Sequence, residues 1–239
     1  MEYLASFMRY EIKYMLSPDQ KQRLLDIMKD YMRPDEFGHT EIRNIYYDTP
    51  DFRLVRRSRE KPVYKEKLRV RSYGKPRAGG KVFVELKKKY RSVVYKRRTA
   101  MPLEDALGLV SGDLRRAGDS QIEKEIGSFI RFYRTLRPAA YLSYERDSFF
   151  GKDDGDLRIT FDEKILARTY DISLDSDLGG EELLGPGTVL MEVKCGGAMP
   201  LWLVRYLSLE HIYQTSFSKY GEAYEKLIFN CELGRKKYA

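Results

Sequence analysis

Between Tyr64 and Gly74 the chain reads YKEKLRVRSYG, with Lys65, Lys67, Arg69 and Arg71 at every second position and Glu66, Leu68 and Val70 in the gaps. Alternation of period two marks a β-strand, whose successive side chains point to opposite faces. Four cations then share one face of one strand. The pattern recurs along the chain. Phe83, Glu85, Lys87 and Lys89 oppose Val82, Val84 and Leu86, while Arg158, Thr160 and Asp162 oppose Leu157, Ile159 and Phe161. Glu192 and Lys194 oppose Met191 and Val193, Tyr144 and Arg146 lie together, and Arg9, Glu11 and Lys13 oppose Tyr10, Ile12 and Tyr14. Strands of this kind must assemble into a sheet with one apolar face and one strongly charged face.

Antiparallel sheets often leave one face wet, and an ordinary wet face mixes its signs because like charges on neighbouring positions repel. The faces here are mostly cationic, each with an occasional carboxylate. The alternative turns them inward: a sheet closed into a barrel, with helices outside and a polar interior. Crowded cations then require an anion. Arg grips phosphate oxygens in bidentate fashion and Lys acts as a point charge. A few carboxylates suit a divalent cation bridging phosphate oxygens. Alternation and charge thus lead to a phosphate-rich ligand and stop short of a reaction.

The charge balance agrees. Lys plus Arg number 44 against 36 Asp plus Glu over 239 residues, a net charge of +8. Such a surplus reads either as a basic, soluble surface or as the mark of a polyanionic partner, nucleic acid, phosphates or an acidic membrane, and the total does not choose among these. Cys195 and Cys231 form no CxxC pair, and with His39 and His211 they give no zinc spacing, so a reduced, cytoplasmic compartment is expected. The N-terminus lacks the pattern of a signal peptide. No apolar run reaches the roughly 20 residues of a membrane-spanning helix, although docking on a membrane protein stays open.

Helices are expected between the strands. Ser17, Pro18 and Gln20 form a capping box ahead of Leu24, Leu25, Met28 and Met32. PLEDALGLVSG, SQIEKEIGSFIRFYRTL, MPLWLVRYLSLEHI and SKYGEAYEKLIFN are helical, the second with a core stripe of Ile122, Ile126, Phe129, Ile130 and Tyr133. TPDFRLVRRSREKP reads as a turn followed by basic chain, and YGKPRAGGK as a hairpin turn. No linker or repeat interrupts this order. The expectation is one α+β domain, residues 1–239, dominated by antiparallel strands.

Nine segments, in order, carry a resemblance: RYEIKY, IYYDTPDFRLVRRS, KLRVRSYG, VFVELKKK, VVYKRR, YERDSF, LRITFD, LMEVK and SFSKY. The chain resembles the VTC domain, the polyphosphate polymerase domain of the vacuolar transporter chaperone complex. That domain belongs to the CYTH-like triphosphate tunnel metalloenzyme superfamily. The resemblance implies a closed antiparallel β-barrel, a tunnel of about eight strands with flanking helices. It implies transfer of the γ-phosphate of ATP onto inorganic polyphosphate, assisted by a divalent metal, Mn2+ or alternatively Mg2+. By position in the motifs it implies catalytic roles for Lys13, Arg69, Arg71, Lys87, Arg146, Arg158 and Glu192. It implies substrate contacts for Arg56, Lys96, Tyr144, Lys194, Ser218 and Lys219, the last two at a helix start whose amides favour anions. Glu192 matches the metal-binding glutamate, with a salt bridge to a tunnel arginine as its other reading.

Three features depart from the pattern. Arg9 stands where superfamily hydrolases and cyclases carry the first glutamate of ExExK, which puts a two-metal hydrolytic site in doubt. Ser216 stands where eukaryotic polymerases have a lysine. The chain has no room for an SPX regulatory domain. Lys88, Lys89, Arg97 and Arg98 read as solvated surface or an electropositive entrance, and Arg57 and Arg59 compete with Arg56 for its role. Cys195 reads as an inert buried thiol, and Trp202 as packing a helix on the sheet. ATP and polyphosphate are the expected partners; no nucleic-acid reader motif is visible. A tripolyphosphate or nucleoside triphosphate hydrolase, and a polyphosphate-binding module without activity, remain as alternatives.

Overall fold

The computed structural model describes residues 10–77, 79–91 and 93–230; Arg9 and Cys231 lie outside them. The strands are β1 (Tyr10–Leu16), β2 (Met32–Asp48), β3 (Tyr64–Tyr73), β4 (Lys81–Tyr90), β5 (Val93–Pro102), β6 (Arg137–Gly151), β7 (Arg158–Arg168), β8 (Glu181–Glu182), β9 (Val189–Cys195) and β10 (Gln214–Thr215). The helices are α1 (Pro18–Tyr31), α2 (Arg53–Arg59), α3 (Leu103–Val110), α4 (Gln121–Tyr133), α5 (Leu201–Leu209) and α6 (Lys219–Ala223), the last running into a π-helical stretch, Tyr224–Phe229. This is the α+β class, with one large antiparallel sheet. Its hydrogen-bonded order is β10-β1-β9-β7-β6-β2-β3-β4-β5, with β8 on β7. Among the described residues that order is a path with two ends, not the closed ring of the expected barrel. Its β10 end is a strand of two residues, too short to carry a long ladder to another strand. Among the described residues the sheet has ten strands, two of which, β8 and β10, are of two residues each.

The chain divides into two compact units. The first comprises residues 10–40, 144–165 and 184–217. Its core is the apolar side of the alternating strands: Tyr14 and Leu16 from β1, Ile159 and Phe161 from β7, Met191 and Val193 from β9. Leu24 and Met28 of α1 and Leu203 and Leu207 of α5 cover that side. The capping box forms as expected, Ser17 Oγ accepting from the Gln20 amide at 3.2 Å and Gln20 Oε1 accepting from the Ser17 amide at 2.9 Å. The Trp202 ring stacks on Tyr31 with centroids 4.8 Å apart, and Cys195 is a free thiol in the core.

The second unit comprises residues 41–143, 166–183 and 218–230. Leu68, Val70, Val82, Val84 and Leu86 form its core with Ala106, Leu109 and Val110 of α3 and Ile126, Phe129 and Ile130 of α4. Gly74 and Gly79, at φ +70° each, let the chain reverse between β3 and β4, a backbone region hostile to residues with a Cβ. The basic segment after β2 is not merely a turn. Its middle forms α2, because the buried Asp48 carboxylate accepts hydrogen bonds from the amides of Leu54 at 2.8 Å and Val55 at 3.0 Å.

Candidate functional site

The second unit brings the cations of β3, β4 and β5 into register. Lys67 pairs with Lys87 across β3 and β4, and Lys87 with Lys96 across β4 and β5. Three lysines therefore stand in one row across three strands, at positions whose Cβ atoms lie about 5 Å apart in an antiparallel ladder. The next row runs Tyr46, Arg69, Glu85, Arg98, and the one after it Asn44, Arg71, Phe83. Arg69 donates to Glu85 Oε2 from Nε at 2.8 Å and to the Tyr46 hydroxyl at 2.9 Å. Arg71 is 5 % exposed and donates to Asn44 Oδ1 at 2.8 Å. Lys96 Nζ lies 2.8 Å from Glu85 Oε1. Arg98 lies over the Phe83 ring, 3.5 Å from its centroid.

This face is strongly positive, and its titratable groups register that. Burial alone would push the phenols of Tyr46 and Tyr73 up. Both are instead pulled below the ordinary tyrosine value, Tyr46 chiefly by Arg69 and Arg71, Tyr73 by Arg71 and Arg98. The Lys96 ammonium is also pushed down, first by burial and then by Arg71 and Arg69, with Glu85 acting the other way.

The start of α6 adjoins the row of lysines. Lys67 Nζ donates to Ser218 Oγ at 2.8 Å, and the same oxygen accepts from the Gly221 amide at 3.2 Å. The helix start is thus capped by its own serine, and α6 spans five residues. The Ser218 cap takes the Gly221 amide, one of those at the helix start. Tyr220 donates to Asp48 Oδ2 at 2.9 Å and stacks on Tyr46, so α6 is tied to β2, whose Tyr46 hydroxyl accepts from Arg69.

The first unit gathers a smaller cluster on β1, β6, β7 and β9. Arg146 meets Asp162 with two hydrogen bonds, 2.5 and 2.6 Å, and reaches Glu192 Oε2 at 3.4 Å. Its guanidinium lies 5.3 Å from the centroid of the Tyr144 ring. Lys13 Nζ is 3.3 Å from Glu192 Oε1 and 2.9 Å from the Phe217 carbonyl oxygen. In the ladders Lys13 faces Glu192, Glu11 faces Lys194 and Thr160 faces Glu192. Arg158 pairs with Asp35 at 3.2 Å. Arg56 lies on the exposed side of α2, its Nη1 3.3 Å from the Asp51 carbonyl oxygen, and Arg59 pairs with Glu225.

No three His, Cys, Asp or Glu side chains among the described residues are arranged to hold a metal ion. Glu192, paired here with Lys13 and Arg146, is a single carboxylate, and an ion held by it alone would need its other ligands from phosphate oxygens and water. The Thr160 hydroxyl opposite it is buried and has no hydrogen-bond partner among the described residues, which suits a site that takes an oxygen-rich guest.

Several members of these clusters escaped the sequence reading as site residues: Glu85, Asp162, Tyr46, Asn44 and Lys67. The period-two pattern already put Glu85 and Asp162 on the charged faces. Their role depends on which cation stands opposite, and that is a matter of register. Arg98 joins Lys96 on the Glu85 face, whereas Arg97 pairs with Glu125 at 2.8 Å on the other side of β5.

The VTC domain family model matches residues 8–228. A comparison with curated proteins gives no match. Among solved structures the chain is similar to a candidate adenylate cyclase from Bacillus halodurans, with 16 % identity over 87 % of this chain and 92 % of that one and a TM-score of 0.54. It is also similar to a candidate adenylyl cyclase from Hippeastrum described as having a dominant triphosphatase activity, with 16 % identity over 91 % and 96 % and a TM-score of 0.56. At that identity these two likenesses speak to the fold alone. The family match covers nearly the whole chain, and this protein belongs to the VTC domain family.

Proposed function

We propose that the chain is an ATP-dependent polyphosphate polymerase. The observation that carries this reading is the row Lys67, Lys87, Lys96 beside Arg69 and Arg71. Like charges opposite one another on a sheet are destabilising, and a linear polyanion lying along the row offsets the repulsion. In the second unit Arg69, Arg71, Lys87, Lys96, Ser218, Lys219 and Arg56 hold phosphate oxygens. In the first, Lys13, Tyr144, Arg146, Arg158 and Lys194 do so, and Glu192 would hold Mn2+ or Mg2+. The bound ion would neutralise charge on the transferring phosphoryl group.

Phosphoryl transfer asks for positioning and neutralised oxygens more than for covalent chemistry. A terminal oxygen of the growing chain is already ionised and needs no strong base. It forms the new bond to the γ-phosphorus of ATP, the bond to the β–γ bridging oxygen breaks, and ADP leaves with the electron pair. The fixed guanidinium groups keep donor and acceptor in line. The closed tunnel of the family, the single functional domain 1–239 and a cytoplasmic location belong to this proposal. No helix among the described residues is long and apolar enough to cross a membrane.

Hydrolysis of tripolyphosphate or nucleoside triphosphates is the second reading, favoured by the triphosphatase activity named for the Hippeastrum protein. One reaction separates the two. Purified protein with ATP and Mn2+ is scored for polyphosphate, ADP and free phosphate, with Lys87→Ala and Glu192→Ala as controls. Polyphosphate with matching ADP, lost in both variants, supports the polymerase. Free phosphate without polymer supports the hydrolase. Neither product, with tripolyphosphate still bound, leaves a binding module.

A further inference from the structure

Glu85 sits in the middle of the second unit's cationic face, its side chain 2 % exposed. One carboxylate meets four cations: Arg69 at 2.6 Å, Lys96 at 2.8 Å, Arg98 at 3.5 Å and Arg71 at 3.9 Å. Burial would push its carboxyl up, yet Arg69, Arg71 and Lys96 hold it well below the usual carboxylate range. Phosphoryl transfer as described above has no use for a buried anion here. A carboxylate beside a phosphate site repels the ligand, so its presence calls for a compensating role.

We propose that Glu85 is the specificity-determining residue of the array, an internal anion that holds the cations in position and sets how many linked phosphates a ligand must bring. The inference rests on the phosphate reading of this face. Lys67, Arg69, Arg71, Lys87, Lys96 and Arg98 share it, and without Glu85 they would repel one another at close range in a poorly solvated setting. With Glu85 the arginines are oriented and partly neutralised before any ligand arrives.

A single orthophosphate then gains little. The cations nearest the core already have a partner, and the newcomer meets that partner's charge. A linear tri- or polyphosphate engages the lysine row with some of its phosphates and the charge of the arginines with others. Its summed attraction exceeds the local repulsion. Glu85 thereby discriminates by chain length and not by the shape of a single phosphate.

The test is a selectivity ratio. Binding of tripolyphosphate and of orthophosphate is measured by calorimetry at fixed ionic strength for the wild type, Glu85→Gln, Glu85→Asp and Glu125→Gln. Glu125 pairs with Arg97 away from the array, on the other side of β5, and controls for loss of a carboxylate–arginine pair outside the site. We expect Glu85→Gln to tighten orthophosphate binding and to lower the tripolyphosphate-to-orthophosphate ratio by at least about tenfold. Glu85→Asp and Glu125→Gln are expected to keep the wild-type ratio. If Glu85→Gln folds only in orthophosphate, the added anion is replacing the lost one and the proposal stands; failure to recover in orthophosphate overturns it. Wild-type tripolyphosphate binding with an unchanged ratio in Glu85→Gln overturns the role of Glu85 alone. Absence of tripolyphosphate binding in wild type and variant overturns the phosphate reading and this inference together.

Discussion

Glu85 and Lys96 show how a residue's charge state depends on its neighbours. The Glu85 carboxyl is depressed below its ordinary value, chiefly by Arg69 and Arg71 working against burial. A depressed carboxyl contributes stability that is present above its unfolded value and lost as pH falls through the folded one. Acid unfolding of the wild type, followed by circular dichroism below about pH 4.5, should therefore include a component that Glu85→Gln lacks. Lys96 is shifted downward, so its ammonium loses its proton at lower pH than a free lysine near 10.5. Tripolyphosphate affinity should weaken on the alkaline side before that value is reached, and Lys96→Arg should extend the plateau to higher pH. An unchanged alkaline limb in Lys96→Arg would remove Lys96 from the binding face. These partnerships were not legible in the chain. VFVELKKK places Glu85 on the charged side, but only the β3–β4–β5 register puts Arg69 on one flank and Arg98 on the other.

Among the elements, the strands were the most legible part, because alternation states both the extended conformation and the side that will be buried. Leu68, in the middle of β3, is fully buried against the α3–α4 layer. Leu68→Ala should cost about 2–5 kcal/mol in chemical denaturation, the range for emptying a packed core site. The helix α2 was not legible. Its sequence, RLVRRSR, carries no capping serine or aspartate directly before it, and the residue in that place, Phe52, lies in the left-handed region at φ 57°. The cap comes from Asp48, still on β2, which also receives the Tyr220 hydroxyl. Asp48→Ala should cost about 2 kcal/mol through the orphaned amides and should loosen α6 together with α2. Hydrogen exchange in both helices reads this directly, and a loss confined to α2 would contradict the shared anchor.

For the whole molecule, the surplus of +8 and its concentration on strand faces make electrostatics the organising term. Binding of a long polyphosphate should weaken steeply between about 0.05 and 0.5 M salt as screening shortens the reach of each cation. A flat salt response would mean that the charged faces are not the binding surface. The chain by itself determined the alternating strands, the apolar faces that become two cores, the capped helix α1, the apolar stripe of α4 and the family to which it belongs. All of these rest on local periodicity or on short motifs in order. Tertiary structure alone decided which cation meets which carboxylate, that Asp48 caps a helix no local signal announces, and that the sheet order has two ends. Register and strand order arise between segments far apart in the chain, and the Asp48 cap, though only six residues from Leu54, depends on a burial that those distant segments create, so the energy of a residue depends on partners its own neighbourhood does not name.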